Sequence, residues 1–236
     1  MPKQVEMRYA RETDDLRPLW NTAFQPDDAF FARDYRPERA LICCDGGIPV
    51  SMLHMLPRTL LLGRQPIRAG YVMGVATDPA YRRRGLAGNL LNAAIESFSE
   101  RRFDCVTLIP ASGTLALYYQ RFGLSMRGRR PMTGGGYFDG RPASNDDIPK
   151  LTAFYDAAFP SRVERDIFEW ETILLTYAVR IGVDGYTAGD ERGVLERVPV
   201  PADSPESECA ACILPLNEQA ETLLVKNRPY INLLYT

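Results

Sequence analysis

"VATDPAYRRRGLAGNLLNAA" (residues 75–94) decides how this chain is read. An apolar run ends at Asp78-Pro79, three arginines follow at Arg82, Arg83 and Arg84, and Gly85 opens a leucine-rich stretch. A solvated turn needs no such charge cluster; a site for a large anion does. A helix N-terminus carries unpaired backbone N–H groups and the positive end of the helix dipole. A loop that aims those groups at one point binds phosphate. Gly85 lacks a Cβ, tolerates positive φ and lets an anion come close. The arginines add charge around the same spot. The pattern predicts strand, turn and helix in succession, with a phosphate-bearing ligand at the turn.

The charge distribution agrees. Over 236 residues the net charge is −2, but residues 1–130 carry 19 Lys+Arg against 13 Asp+Glu (+6), and residues 131–236 carry 9 against 17 (−8). The basic part holds the arginine cluster, so the anion belongs there. The length suits one large domain or one with a smaller partner. At 45% hydrophobic and 25% charged, the composition is that of a globular chain with a real core. No apolar run reaches the roughly 18 residues of a membrane span, and "MPKQVEMRYARETDD" holds no signal-type stretch. A cytoplasmic protein is expected. Five cysteines include one C-x-x-C, Cys209 and Cys212, and the single histidine, His54, is far from it in sequence. Buried or inert thiols are expected, and no metal site.

Outward from the turn, "QVEMRYA" reads as an edge strand. Thr13, Asp14 and Asp15 suit the start of a helix that places Leu16, Leu19, Trp20 and Phe24 on one face. Residues 39–78 read as three strands with turns at Asp45-Gly46-Gly47 and Gly63-Arg64-Gln65, the third ended by Pro79. A helix is expected from about Gly85 to Arg102, burying Leu86, Leu90, Leu91, Ala94, Ile95 and Phe98. "FDCVTLIPA" follows as a buried strand and "GTLALYYQRFG" as a short helix stopped by Gly123. Glycine, proline and serine cluster over 128–144, where a boundary is expected. Beyond it, "DDIPKLTAFYDAAF" (146–159) echoes "DDLRPLWNTAF" (14–24). Each has paired aspartates, an apolar i,i+3 pair and an aromatic four residues before a phenylalanine (Trp20/Phe24, Tyr155/Phe159). Such an echo marks either two acid-capped amphipathic helices or a second, related half-domain, continuing through "RDIFEWETIL" to the last residues.

The ligand at the turn is not a Walker A phosphate, since "RRRGLAGN" lacks GK[ST], nor a dinucleotide, since "GLAG" lacks GxGxxG. What matches is R-x-x-G-x-A: Arg82, Gly85 and Ala87, preceded by "VATDP". This resembles the coenzyme A-binding signature of the GNAT acyltransferase superfamily, and the element order over residues 3–127 resembles that fold. The resemblance implies a mixed-sheet α/β chain: a GNAT domain over 3–130, then a smaller, degenerate GNAT-like region over 145–236. That second region has no R-x-x-G-x-A and should not bind CoA. The resemblance further implies that Arg82, Arg83, Arg84, Gly85, Leu86, Ala87 and Gly88 hold the pyrophosphate of acetyl-CoA. Backbone groups of Val75, Ala76 and Thr77 would receive the pantetheine arm by strand addition, and Ser112 would add a cofactor contact. The family's Y-x-x-x-G-F is matched by Tyr119 to Leu124, with leucine for the last aromatic. Tyr119 then protonates the departing thiolate. Tyr118 is a rival on the same face as residues 115, 119 and 122. "PASGTLALYYQRFG" is most similar to the enhanced-intracellular-survival (Eis) type, whose further C-terminal domain this length leaves no room for.

The expected activity is acetyl transfer from acetyl-CoA to an amine. In this superfamily the helices after the first strand help line the acceptor pocket. Here they hold Phe24, Phe30, Phe31, Tyr35, Asp27, Asp28 and Asp34, a mixture able to hold an ammonium or simply to pack. No residue stands out as the base. His54 has a suitable ordinary pKa, and Thr236 could offer a terminal carboxylate as the Eis type does. Two other classes compete: a non-catalytic CoA-binding regulatory module, against which the intact turn and tyrosine speak, and a nucleic-acid binder suggested by "RGRR" (127–130), against which the pI near 5.6 speaks. Neither a nucleic acid nor a membrane is expected as partner, and homo-oligomerisation stays open.

Overall fold

A computed structural model describes residues 5–131, 136–207 and 210–232. Its contacts divide the chain into two compact units, residues 1–57 with 69–108, and 58–68 with 109–236. The first unit opens with strand β1 (Glu6–Tyr9), the one-turn helix α1 (Arg17–Trp20) and helix α2 (Asp28–Arg33). Strands β2 (Ala40–Asp45), β3 (Ile48–Leu62) and β4 (Gln65–Thr77) follow, then helix α3 (Leu86–Glu100) and strand β5 (Cys105–Leu108). The far ends of β3 and β4 belong to the second unit.

The sheet of the first unit runs in the order β1-β2-β3-β4-β5. β1 pairs antiparallel with β2 (Tyr9↔Leu41), and β2 with β3 (Ala40↔His54). β5 joins β4 in parallel, Ala69↔Cys105 to Tyr71↔Thr107, because α3 carries the chain back along the sheet. β2 and β5 are mostly apolar, and all of Ala40–Cys44 and Cys105–Leu108 is buried. α3 buries Leu86, Leu90, Leu91, Ala94 and Phe98 at helical spacing, while Ile95 is half-buried.

The helix expected over 14–24 is a single turn. Asp14 does not cap it: its carboxylate takes both Arg8 guanidinium nitrogens at 2.7 and 2.9 Å and the Arg11 N–H at 2.7 Å. Downstream, the Trp20 indole N–H donates to the Gln25 carbonyl and folds the chain back before Pro26. Leu16, Leu19 and Trp20 are buried as expected, whereas Phe24 is exposed.

Beneath α1 and α2 the rings of Trp20, Phe30, Phe31 and Tyr35 surround His54, with centroids 5.1 to 6.5 Å away. His54 is 1% exposed, and neither ring nitrogen finds a partner among the described residues.

The second unit contains helix α4 (Gly113–Gln120) and strands β6 (Ser125–Met126) and β7 (Arg141–Pro142). Helix α5 (Ile148–Ala158), strand β8 (Arg162–Val163) and helix α6 (Ile167–Thr176) come next. Strands β9 (Ala178–Ile181), β10 (Tyr186–Asp190), β11 (Gly193–Val198) and β12 (Cys212–Pro215) and helix α7 (Glu218–Lys226) complete it. β7, β9, β10 and β11 form an antiparallel sheet in that order. Strand, two helices, then a three-strand meander is the sequence of β1, α1, α2, β2, β3 and β4 over again.

The likeness reaches single bonds. Arg141 on β7 grips Asp147 with both guanidinium nitrogens, and Asp147 also accepts the Ser144 N–H, as Arg8, Asp14 and Arg11 do at the same spacing. Ile148, Leu151, Tyr155 and Phe159 are all buried on one side of α5. The echo in the sequence is therefore a degenerate half-domain, and the chain is a mixed α/β fold with that smaller region following the first. Its core holds a closed ionic network. Glu196, fully buried on β11, takes both Arg165 guanidinium nitrogens at 2.7 Å, the hydroxyls of Tyr186 and Tyr230, and the Asn232 amide.

Two pH dependences follow. Arg8 holds Asp14 below the usual carboxylate range, so the brace contributes fully above about pH 4 and is lost as pH falls through the folded value. Asp14→Asn should cost about 1–2 kcal/mol in urea denaturation at pH 7, and progressively less as the pH is taken below about 4. Burial pushes His54 down to about 3. The unfolded chain takes up a proton near pH 6.5 that the folded chain refuses. Stability should therefore fall by roughly 1.4 kcal/mol per pH unit below 6.5. His54→Phe should flatten denaturation between pH 6.5 and 5, since the chain has no other histidine.

Candidate cofactor and catalytic site

The turn after β4 is fixed by one bond to the neighbouring strand and by local ones. The Asp78 N–H donates to the Val50 carbonyl, and the Asp78 carboxylate accepts the Ala80 N–H. Pro79–Tyr81 then forms one 3-10 turn. Arg83 adopts φ 63° and Gly85 φ 79°, so the chain reverses twice before α3 begins. Arg82 Nε donates to the Thr77 carbonyl at 3.1 Å and Arg84 Nη2 to the Ala80 carbonyl at 2.9 Å. Arg82, Arg83, Arg84 and Gly85 are exposed.

Helix α3 has no side-chain cap. Its first backbone donor inside the helix is Asn89 N–H, to the Gly85 carbonyl. The N–H groups of Leu86, Ala87 and Gly88 precede that bond and have no helical acceptor. A Cβ on Gly85 would meet no atom within 4 Å, so the space above the helix start is open. Open space, three helix-start donors, a helix dipole and three arginines are the features that anion binding requires. Arg82 to Gly88 span this turn and the start of α3.

The strand leading in is shaped for a ligand as well. The β4–β5 ladder stops at Tyr71↔Thr107, and β4 runs on to Thr77. Gly74 kinks it with φ 59°. On the β3 side, Ser51 Oγ bonds the Ala76 carbonyl and the Thr77 hydroxyl at 3.1 and 2.8 Å. Val75, Ala76 and Thr77 thus lie past the end of the β5 ladder, where an extended ligand can add as a strand.

Ser112 and Tyr119 lie on one element, α4, in the second unit. Ser112 is the N-cap, its hydroxyl accepting the Leu115 N–H at 3.2 Å, so its own proton is free to donate. The buried face is Ala116 and Tyr119, while Leu115 is 39% exposed and Tyr118 half-buried. Of the two tyrosines Tyr119 is therefore the inward one; Tyr118 leans on Phe122, ring centroids 5.2 Å apart. Burial pushes Tyr119 up to about 12, with smaller contributions from Tyr118 and Cys212. At neutral pH it carries its proton, as a proton donor must. Gly123, with φ 82°, ends the turn after α4 as expected.

The remaining candidates divide. Asp27 caps α2 by accepting the Phe30 N–H, and Phe30 and Phe31 are buried against His54, so this stretch packs rather than presents an open cage. His54 is neutral and enclosed. Cys43, Cys44, Cys105 and Cys212 are buried, and burial pushes the Cys43 and Cys105 thiols up to about 11 and 12. Cys209 and Thr236 lie outside the described residues. Among the described residues no cluster of His, Cys, Asp or Glu could hold a metal ion, and no helix is long and apolar enough to cross a membrane. Sequence reasoning missed Gly74 and the Asp45–Tyr81 hydrogen bond of 2.6 Å. The glycine inside an apolar strand was the available signal for the first.

Comparison with known proteins accords with this geometry. The profile of the acetyltransferase (GNAT) domain matches residues 7–126. Among curated protein sequences nothing matches. Among solved structures, a GCN5-related N-acetyltransferase from Kribbella flavida is similar with TM-score 0.60 and 17% identity, over 94% of this chain and 62% of that one. Eis1 from Mycobacterium abscessus is similar with TM-score 0.59 and 17% identity, again over 94% and 62%. The GNAT family N-acetyltransferase YhbS from Escherichia coli, solved in complex with CoA, has TM-score 0.51 and 15% identity over 98% and 89%. The chain thus spans 62% of the length of the first two, and at such identities the likeness is one of fold. With a family match over residues 7–126, the chain belongs to the GNAT acetyltransferase family.

Proposed function

We propose that this protein is an acetyl-CoA-dependent N-acetyltransferase that moves the acetyl group to an amine by direct attack. The observation that carries the reading is the uncapped start of α3, open at Gly85 and preceded directly by the exposed Arg82, Arg83 and Arg84. The pyrophosphate lies on the N–H groups of Leu86, Ala87 and Gly88. The pantetheine arm follows the free side of Val75, Ala76 and Thr77, and Ser112 donates its hydroxyl proton to the cofactor. The acceptor nitrogen attacks the thioester carbon; the C–N bond forms and the C–S bond breaks. Tyr119 gives its proton to the sulfur as it leaves and regains one from solvent, which takes up the proton that the attacking nitrogen loses. We take residues 3–130 as the acetyltransferase domain and 145–236 as the degenerate half, with a cytoplasmic location. The E. coli structure that holds CoA supports the cofactor class.

Calorimetry with acetyl-CoA should show saturable binding, and Gly85→Glu should abolish it, because a carboxylate would then occupy the phosphate's place. Failure of the unaltered chain to bind would overturn the reading; binding without turnover on any amine would favour a regulatory module. Tyr119→Phe keeps the ring but removes the proton. Turnover, read by thiol release, should fall by roughly 10²–10⁴-fold with acetyl-CoA affinity little changed, and Tyr118→Phe should be far milder. The reverse order of effects would move the role to Tyr118.

A further inference from the structure

Arg84 differs from its two neighbours in the turn. Its guanidinium carbon lies 4.7 Å from the centroid of the Tyr81 ring, and Nη2 donates to the Ala80 carbonyl. Among the described residues neither Arg82 nor Arg83 stacks on a ring. The Tyr81 ring is itself held, since its hydroxyl donates to Asp45 Oδ2 at 2.6 Å, at the end of β2. Asp45 Oδ1 is buried with no hydrogen-bond partner among the described residues, so Tyr81 is the group that satisfies this carboxylate. The bond keeps the Tyr81 phenol protonated, above its ordinary range. A stack of carboxylate, phenol and guanidinium therefore runs from the β2–β3 turn to the mouth of the anion site.

We propose that Asp45 and Tyr81 are positioning residues for the cofactor's phosphates: they fix the ring on which Arg84 lies, so that Arg84 meets the anion already ordered. The inference rests on the acetyl-CoA reading above. An exposed arginine has many rotamers to lose on binding, and its planar fork serves best when its plane is set beforehand. One of its five N–H groups is spent on Ala80; the others are left for phosphate oxygens.

Calorimetry with CoA at one ionic strength tests this on the whole chain, with melting temperatures to check the fold. Tyr81→Leu removes the ring, and Arg84→Lys keeps the charge but not the plane. Each should weaken CoA binding about five-fold. Because both break one stack, the double variant should be little worse than either single, well short of the roughly 25-fold of independent effects. Tyr81→Phe, which loses only the Asp45 bond, should weaken binding about two- to three-fold; it replaces Tyr81→Leu in the cycle should that variant unfold. Multiplying effects, or a Tyr81→Leu affinity equal to the parent's, would overturn the inference while leaving the acetyl-CoA reading intact. Absence of CoA binding in the unaltered chain would overturn both.

Discussion

A Cβ on Gly74 would sit 2.7 Å from the Trp20 indole and 2.8 Å from His54 Nδ1. The backbone there also has φ 59°, which side chains rarely adopt. Two demands meet at this residue. β4 has to be a core strand as far as Tyr71, paired with β5 and buried. From Val75 onward it has no β5 partner, which the proposed cofactor strand requires. The kink at Gly74 separates the two stretches, and the aromatic cluster of α1 and α2 fills the space a side chain would have taken. The helices and the end of β4 are coupled through that close contact.

Past the kink, the chain works through the backbone more than through side chains. Asp78 and Ser51 fix the end of the strand by hydrogen bonds. The left-handed residues Arg83 and Gly85 then turn the chain so that α3 starts uncapped. An uncapped start is costly in isolation, since its donors lack acceptors, and it is stabilised when an anion supplies them. The arginines serve as a screen of positive charge around donors the backbone provides.

The second half shows what the same plan becomes when that strand is used differently. β11 occupies the place in its meander that β4 occupies in the first, yet it carries Glu196 into a dry core. The guanidinium of Arg165, two tyrosine hydroxyls and the Asn232 amide surround that carboxylate. A buried carboxylate is tolerable only when its oxygens are fully met. Here the partners tie β11 to Arg165, β10 and the stretch 230–232, so the strand is locked into the core. The brace of arginine and aspartate, Arg8 with Asp14 and Arg141 with Asp147, survives in both halves because it depends on strand and loop alone.

Much of this was legible in the residues themselves. Short-range rules were enough for the strand–turn–helix at 75–94, the tight turns at Gly46-Gly47 and Gly63, and the buried faces of α3 and α5, because each depends on neighbours within a few residues. The anion site was legible for the same reason: glycine, arginines and helix start are contiguous. The echo of residues 14–24 in 146–159 pointed to a repeated half. What local pattern could not decide was the use of groups whose partners lie far along the chain. Asp14 reads as a helix cap and is claimed by Arg8; the aromatic residues near Phe30 read equally as an ammonium cage or as packing, and they close around His54; Asp45 reads as turn chemistry and holds Tyr81. A carboxylate or a ring has several partners compatible with its sequence. Only the packing of distant segments, which sets what is within 3 Å and what is shut off from water, selects one.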